Sequence, residues 1–362
     1  MAGAAPRKLL FYTHALEAGG AERVVGLLAS GFAERGDDVT IAVDRHVETN
    51  VPLTDKVRVI TLGSGHARNL AALADLLRTE KPDVSFSALA ASNFKHAIAA
   101  ARAGRGSRAV ISYHGYFSAE PQLLSRAGFL SLPITSRIVR RTVCVSDGLL
   151  AHIRRFGVSA NRSVRIFNPV TLAGPAEAAN AQPLTNRAPL VLAVGRLAEV
   201  KDFTTLIRAF ARVQTPGAQL RIVGEGGERR RLEMEIATLG LQDRIALPGH
   251  SRDVGVHYRA ARCFALTSLT ESFGNVVVEA LSHGLPVVAT DCGGPSEILN
   301  AANCGTIAPI GDVDAIARAI DATLASPGDS APRRARAADF SIERSLDSYD
   351  ALFRDVTRGG VD

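Results

Sequence analysis

The sequence predicts an α/β protein built from two doubly wound, Rossmann-like domains. Three observations predict it. The chain has 362 residues, too many for one ordinary α/β core and enough for two domains of roughly 150–200 residues. Short apolar strands alternate with amphipathic helical stretches, the pattern of parallel α/β units. That pattern breaks over Asn168–Pro189, which is rich in Pro, Ala and Asn and has no periodicity, and then it restarts.

In the first half, strands read at Lys8–Thr13, Val39–Val43, Val57–Thr61, Asp83–Phe86, Arg108–Tyr113 and Thr142–Val145. Helices fall near 21–35, 66–79, 92–103, 120–138 and 147–156. After the break, strands read at Leu190–Gly195, Leu220–Val223, Arg244–Leu247, Cys263–Leu266, Pro286–Ala289 and Gly305–Ala308. Helices fall near 202–214, 227–239, 275–283 and 312–325, and a last one runs from Ile342 to Thr357. The expected organisation is a domain over 1–170, a linker over 171–189, a second domain over 190–340 and a terminal segment over 341–362. Two such sheets are expected to face a shared cleft. Ligands of doubly wound sheets bind at the carboxyl ends of the strands, so the loops there hold the candidate chemistry.

Composition narrows the class. Apolar residues make up 46% and charged residues 22%, the balance of a soluble globular protein. No uncharged apolar run reaches the length of about 18 that a membrane-crossing helix needs. The apolar run Leu9–Tyr12 is too short for a signal-peptide core, so the chain is expected in the cytosol. Cysteines at 144, 263, 292 and 304 form no C-x-x-C pair, which points to reduced, buried thiols and no zinc site. Residues 1–186 carry a net charge of +8 and residues 187–362 a net of −2. A basic first half suits either a solvated surface or an anionic partner such as a membrane face, a lipid phosphate or nucleic acid.

Five loops carry residue types suited to an anionic, hydroxyl-rich ligand. Gly195-Arg196-Leu197-Ala198-Glu199-Val200-Lys201-Asp202 follows the first strand of the second domain. Its glycine permits a sharp turn, Asp202 can cap the next helix, and Arg196 with Lys201 suits a diphosphate. Glu271 and Glu279 are separated by seven residues, and Phe273-Gly274-Asn275-Val276 between them opens a helix, a natural anion site. Glu279 sits among Val276–Val278 and Ala280, where an unpartnered carboxylate would be costly. Gly224-Glu225-Gly226-Gly227 is a partial glycine-rich turn. In the first domain, Gly19 and Gly20 open a helix after the first strand, and His114 closes Ser112-Tyr113-His114-Gly115 at a strand end.

Together these residues resemble the retaining glycosyltransferases of family 4, which have the GT-B fold. The motifs are Gly-Gly-Ala-Glu-Arg (19–23), Val-Gly-Arg-Leu-x-x-x-Lys (194–201), Val-Gly-x-Gly (223–226), Glu-x7-Glu (271–279) and Gly-Gly-Pro-Ser-Glu (293–297), in order along the whole chain. The resemblance implies a nucleotide-sugar donor, UDP-linked, and a glycan or lipid-linked acceptor. It implies that Arg196 and Lys201 hold the diphosphate, while Glu271 with Phe273, Gly274, Asn275 and Val276 meets the transferred sugar. Glu279 would bind the ribose, Gly224 and Glu225 would belong to the donor site, Gly19 and Gly20 would close over the diphosphate, and His114 would lie near sugar and acceptor. The last helix would cross back to the first domain. No cofactor and no metal are implied. The turn Ile166-Phe167-Asn168-Pro169-Val170 resembles the subgroup that adds hexoses or N-acetylhexosamines to lipid-linked or surface polysaccharides.

The segment Pro121–Arg141 mixes Leu123, Leu124, Phe129, Leu130, Leu132, Ile134, Ile138 and Val139 with Arg126, Arg137, Arg140 and Arg141. It reads either as core-facing helix or as a basic amphipathic surface that docks peripherally on the inner face of a membrane. Three rival classes remain open: a nucleotide-sugar epimerase of the same fold, a nicotinamide oxidoreductase lacking the full G-x-G-x-x-G, and a non-enzymatic polyanion-binding protein. Nucleic acid is not the expected partner.

Overall fold

The computed structural model describes residues 5–17, 19–47, 51, 53–63, 65–119, 122–174, 182–301 and 303–359. The middle of the linker read at 171–189, and Pro121 of the basic apolar segment, lie outside the described residues. The chain divides into two units, Met1–Pro169 with Ile342–Asp362, and Val170–Ser341.

The first unit runs β1 (Lys8–Thr13), α1 (Gly20–Glu34), β2 (Asp38–Val43), β3 (Arg58–Thr61), α2 (His66–Glu80), β4 (Val84–Ala88), α3 (Ala90–Arg102), β5 (Ala109–Tyr113), α4 (Leu123–Leu130), α5 (Leu132–Ile138), β6 (Arg141–Cys144), α6 (Asp147–Arg155) and β7 (Ser163–Arg165). Its seven strands lie in the order β3-β2-β1-β4-β5-β6-β7, all parallel. The central strand β4 is buried throughout and β1 is buried from Leu9 to Thr13, as expected where helices cover both faces. The strand order reverses between β1 and β4, the place where doubly wound sheets bind ligands.

The helix read at 120–138 is two helices. Ser131 ends the first, and Pro133 sits in the opening turn of the second, where its missing N–H costs nothing and its fixed φ suits a helix start. The short β7 carries too few residues for an alternation pattern, which is why the sequence hid it.

The terminal helix, α14 in chain order (Ile342–Arg358), belongs to the first unit. It buries Leu346, Tyr349, Phe353 and Val356 in the core that holds Phe11, Phe32 and Phe86. Tyr349 meets Phe86 edge to face at 5.5 Å, and Phe353 lies 5.2 Å from Phe32. Aromatic rings dominate core energetics because each buries a large area and their edges and faces attract.

The second unit runs β8 (Leu190–Val194), α7 (Phe203–Phe210), β9 (Gln219–Val223), α8 (Arg229–Thr238), β10 (Ile245–Gly249), α9 (Gly255–Ala260), β11 (Cys263–Leu266), α10 (Asn275–Ser282), β12 (Val287–Thr290), α11 (Gly294–Leu299), β13 (Gly305–Ala308), α12 (Val313–Ala325) and α13 (Ala331–Ala338). Six parallel strands lie in the order β10-β9-β8-β11-β12-β13. The reversal falls between β8 and β11. The helices α9 and α11 are six residues each, too short for a readable 3.6-residue period, and the eight-residue α13 is almost all alanine and arginine, which gives no apolar stripe. All four cysteines are buried free thiols, and burial pushes Cys263 up to about 12 and Cys292 up to about 11.

One buried histidine makes folding pH-dependent. His96 of α3 lies between Ser87 Oγ, 2.9 Å from Nδ1, and Ser85 Oγ, 2.8 Å from Nε2. Burial pushes its imidazole down to about 3. Between that value and the unfolded histidine's ~6.5, the unfolded chain binds the proton and the folded chain does not. Stability is therefore full above about pH 6.5 and falls as the pH drops toward 3. The urea midpoint is expected to fall between about pH 7.5 and 5, and to fall less in a His96→Asn variant. Equal falls in both proteins would contradict this source of acid sensitivity.

Candidate active site

The second unit gathers the sequence-predicted donor residues at the carboxyl edge of its sheet. The loop after β8 holds Arg196 and Lys201, and the loop after β11 holds Glu271, so the two flank the reversal in strand order. The two loops are tied together. Leu269 N donates to Val200 O at 2.9 Å, and Thr267 Oγ1 donates to the carbonyls of Lys201 at 3.3 Å and Asp202 at 3.1 Å. Lys201 Nζ donates to Glu271 Oε2 in an ion pair whose side chains are about one-fifth exposed. Arg196 is exposed and makes no ion pair among the described residues. A cation held at the strand edge by a carboxylate, with a second cation open beside it, is a site prepared for an anion that brings hydroxyl groups with it.

The Glu271 loop is fastened on its other side. Glu271 N donates to Cys292 O at 2.8 Å, and Gly294 N donates to Glu271 O at 2.8 Å, forming a parallel bridge with Gly293. The backbones approach so closely that a Cβ on Gly294 would lie 2.4 Å from Phe273 Cα. Gly293-Gly294 therefore acts as the seat on which Glu271 is held.

Asp202 caps α7: its carboxylate accepts from Thr205 N at 3.2 Å and from Thr205 Oγ1 at 2.6 Å. The glycine turn after β9 packs under the Arg196 loop. Leu197 N donates to Glu225 O at 2.8 Å, and Gly195 N to Val223 O at 3.0 Å. Gly224 has φ +147°, and a Cβ there would lie 1.9 Å from Gly195 O. The Glu225 side chain pairs with Arg229 at 2.7 Å, so Glu225 presents its backbone, not its carboxylate, to the Arg196 loop.

Phe273 is 2% exposed, and its ring packs edge to face on Phe340 at 5.6 Å. It anchors the loop from below, leaving backbone and the neighbouring Gly274, Asn275 and Val276 at the start of α10. The dipole of α10 favours an anion there. Glu279, one turn on, is half-buried and accepts from Tyr258 Oη at 2.9 Å. Tyr258 itself is buried and stacked on His283 at 5.1 Å. Sequence reasoning missed Tyr258 because it lies on the short α9.

The first unit holds the remaining predicted residues. Gly19 and Gly20 begin α1. The Glu22 carboxylate folds back there, with Oε2 2.2 Å from where a Gly19 Cβ would sit. His114 follows β5, half-buried, with Nε2 3.0 Å from Ser112 Oγ. Burial pushes its imidazole down to about 4, so it is neutral near pH 7. Sequence reasoning also missed a polar cluster at the edge of this sheet, made by buried Tyr12, Asp44 and Lys95 with the half-exposed His14. Its members lie up to 83 residues apart, too far for any spacing motif.

The model of "Glycosyltransferase Family 4" matches residues 18–173, and that of "Glycosyl transferases group 1" matches residues 176–341. The lipopolysaccharide core biosynthesis glycosyltransferase LpsE of Rhizobium meliloti (strain 1021) is 31% identical over 85% of this chain and 86% of its own. The chain belongs to the family 4 glycosyltransferases. Among solved structures, HepE of Anabaena in complex with UDP and glucose aligns with TM-score 0.81 at 21% identity, covering 96% of this chain and 99% of that one. WaaG, a glycosyltransferase involved in lipopolysaccharide biosynthesis, aligns with TM-score 0.69 at 18% identity over 96% and 98%. Both likenesses identify the fold as GT-B. The Lys201–Glu271 pair and the Gly293-Gly294 seat thus lie in a glycosyltransferase.

Proposed function

We propose that this glycosyltransferase moves a hexose or N-acetylhexosamine, with retention, from a UDP-linked donor to a glycan or lipid-linked acceptor in cell-envelope polysaccharide synthesis. The observation that carries the reading is the meeting of Lys201 with Glu271 at the reversal of the second sheet, beside the open Arg196. Departure of the nucleoside diphosphate builds negative charge on its phosphates. Arg196, Lys201 and the N-terminus of α10 stabilise that charge in a fixed arrangement, so no metal is required for the role. Glu271 accepts hydrogen bonds from hydroxyls of the sugar, Glu279 accepts those of the ribose, and neutral His114 of the first unit is assigned to the sugar and acceptor. A phosphate oxygen of the donor takes the acceptor's proton on the face from which it leaves. The names of the relatives support the acceptor class, and the UDP bound in the HepE structure supports the donor. The test is UDP release from UDP-sugars with and without EDTA. Equal release in both is expected, and loss in EDTA would overturn the metal-free reading.

The protein also docks on anionic lipid in this reading. Among the described residues no helix is long and apolar enough to cross a membrane. Leu123, Leu130 and Ile134 are 86%, 64% and 66% exposed on α4 and α5, and Arg126 and Arg137 are exposed beside them, the make-up of an interfacial surface. Arg141 is tied to Asp355 at 2.7 Å and Arg140 packs at Gly359, so these two serve the fold and the informative reversals are Arg126→Glu and Arg137→Glu. The double variant is expected to lose flotation with phosphatidylglycerol vesicles while keeping its melting temperature. Unchanged flotation would sink the idea.

A further inference from the structure

The cluster at the carboxyl edge of the first sheet is built from three adjacent strands. His14 follows β1, Asp44 follows β2, and Lys95 comes from α3, which follows β4. Tyr12 Oη donates to Asp44 Oδ1 at 2.9 Å. Lys95 Nζ donates to Asp44 Oδ2, and His14 Nδ1 lies 2.9 Å from the same oxygen. Tyr12, Asp44 and Lys95 are at most 5% exposed, whereas the His14 ring is 47% exposed. The His14 carbonyl accepts from Asp44 N at 3.0 Å and Arg45 N at 3.3 Å, so backbone and side chain are held by the same loop. The neighbouring Arg45 is engaged by Glu17.

Burying a lysine and an aspartate costs desolvation that their attraction repays only when every polar atom is satisfied. Here the one group that reaches solvent is the imidazole. Although burial opposes it, the bonds from Lys95, His14 and Tyr12 hold the Asp44 carboxyl below its ordinary range, so Asp44 is an anion and can only accept. His14 Nδ1 must then carry a proton, and in the neutral ring Nε2 is left as an acceptor. Nε2 has no partner among the described residues. Lys95 offsets the charge of Asp44, so the cluster behind the ring is not a bare anion. An acceptor nitrogen fixed at the reversal between β1 and β4 matches a hydroxyl and not a phosphate, which would need donors.

We propose that His14, held by Asp44 and Lys95, binds a sugar hydroxyl of the acceptor, the hydroxyl donating to Nε2. This rests on the reading of the protein as a glycosyltransferase with a glycan acceptor. His14 belongs to the first unit, and the donor residues Arg196, Lys201 and Glu271 to the second.

The test uses the full chain labelled with 15N-histidine, with His14 assigned from a His14→Gln variant. When the ring carries a single proton, that proton should sit on Nδ1 and leave Nε2 bare. Titration with methyl glycosides of glucose, galactose, mannose and N-acetylglucosamine should move the Nε2 signal with at least one of them. UDP-glucose alone should leave it in place. The same glycoside should bind the His14→Gln protein about tenfold more weakly, the loss of one hydrogen bond. The single proton sitting on Nε2, no movement with any glycoside, or equal affinity in the variant would overturn the proposal. Movement with UDP-glucose alone would assign the hydroxyl to the donor sugar and overturn the acceptor assignment. If the donor reading fails instead, UDP does not bind while the glycoside still moves His14, so the two failures are distinguishable.

Discussion

Replacing Lys201 by alanine is expected to lower kcat/KM for the nucleotide sugar by about 10³-fold, with the melting temperature within a few degrees of the parent. Two effects add. The leaving diphosphate loses a cation placed at its developing charge, and loss of one such preorganised partner typically costs about 10²–10³ in turnover. Glu271 also loses its counterion, so an uncompensated carboxylate now faces the incoming anion. Stability changes modestly: the pair is about one-fifth exposed, between the surface and buried limits, so its loss costs about 1–2 kcal/mol. The second effect separates from the first in Lys201→Ala/Glu271→Gln, which should regain part of the UDP affinity without regaining turnover. Steady-state UDP release and calorimetric UDP binding read the two quantities. A single variant with near-normal kcat/KM would remove Lys201 from the donor site.

Gly224→Ala is the second large effect, and it acts through shape alone. At φ +147° a side chain is strained wherever it points, and here its Cβ would lie 1.9 Å from the carbonyl oxygen of Gly195. The neighbour is backbone, so relief requires moving the Arg196 loop away from β9 and breaking the bonds from Gly195 N and Leu197 N. A loss of about 3 kcal/mol combines strain and overpacking, and UDP affinity should fall with it because Arg196 moves. Gly227→Ala is the control: its Cβ would meet nothing within 4 Å, and it should be near neutral in both thermal unfolding and UDP titration. Equal behaviour of the two variants would contradict the packing described for this turn.

The parts of this molecule legible in the sequence are those written in short segments. The alternation of buried strands and amphipathic helices is local, and so both parallel sheets could be read strand by strand apart from β7. Arg196, Lys201 and Glu271 lie in loops directly after strands, and Glu279 in the helix that the second of these loops opens, so chain order alone predicts the edge on which they appear. What could not be read is what distant segments do to each other. Nothing local says that Lys201 and Glu271, 70 residues apart, meet as an ion pair, or that the Phe273 ring turns into the core against Phe340. The Asp44 cluster is the clearest case. Asp44 reads as a residue after a strand and Lys95 as a helical surface charge, and only the strand order β2-β1-β4 brings them together. Tyr258 was invisible for a different reason: its helix is six residues long, too short to show a period.

The measurement closest to the central claim is a thermal-shift panel of UDP, GDP, ADP and their common sugar conjugates on the parent protein and on Arg196→Ala/Lys201→Ala. The account predicts stabilisation by UDP and a UDP-sugar, absent in the double variant, since a ligand that binds only the folded state raises its melting temperature. No shift with any nucleotide, or the same shift in the double variant, would contradict the assignment of the donor site to the loops after β8 and β11.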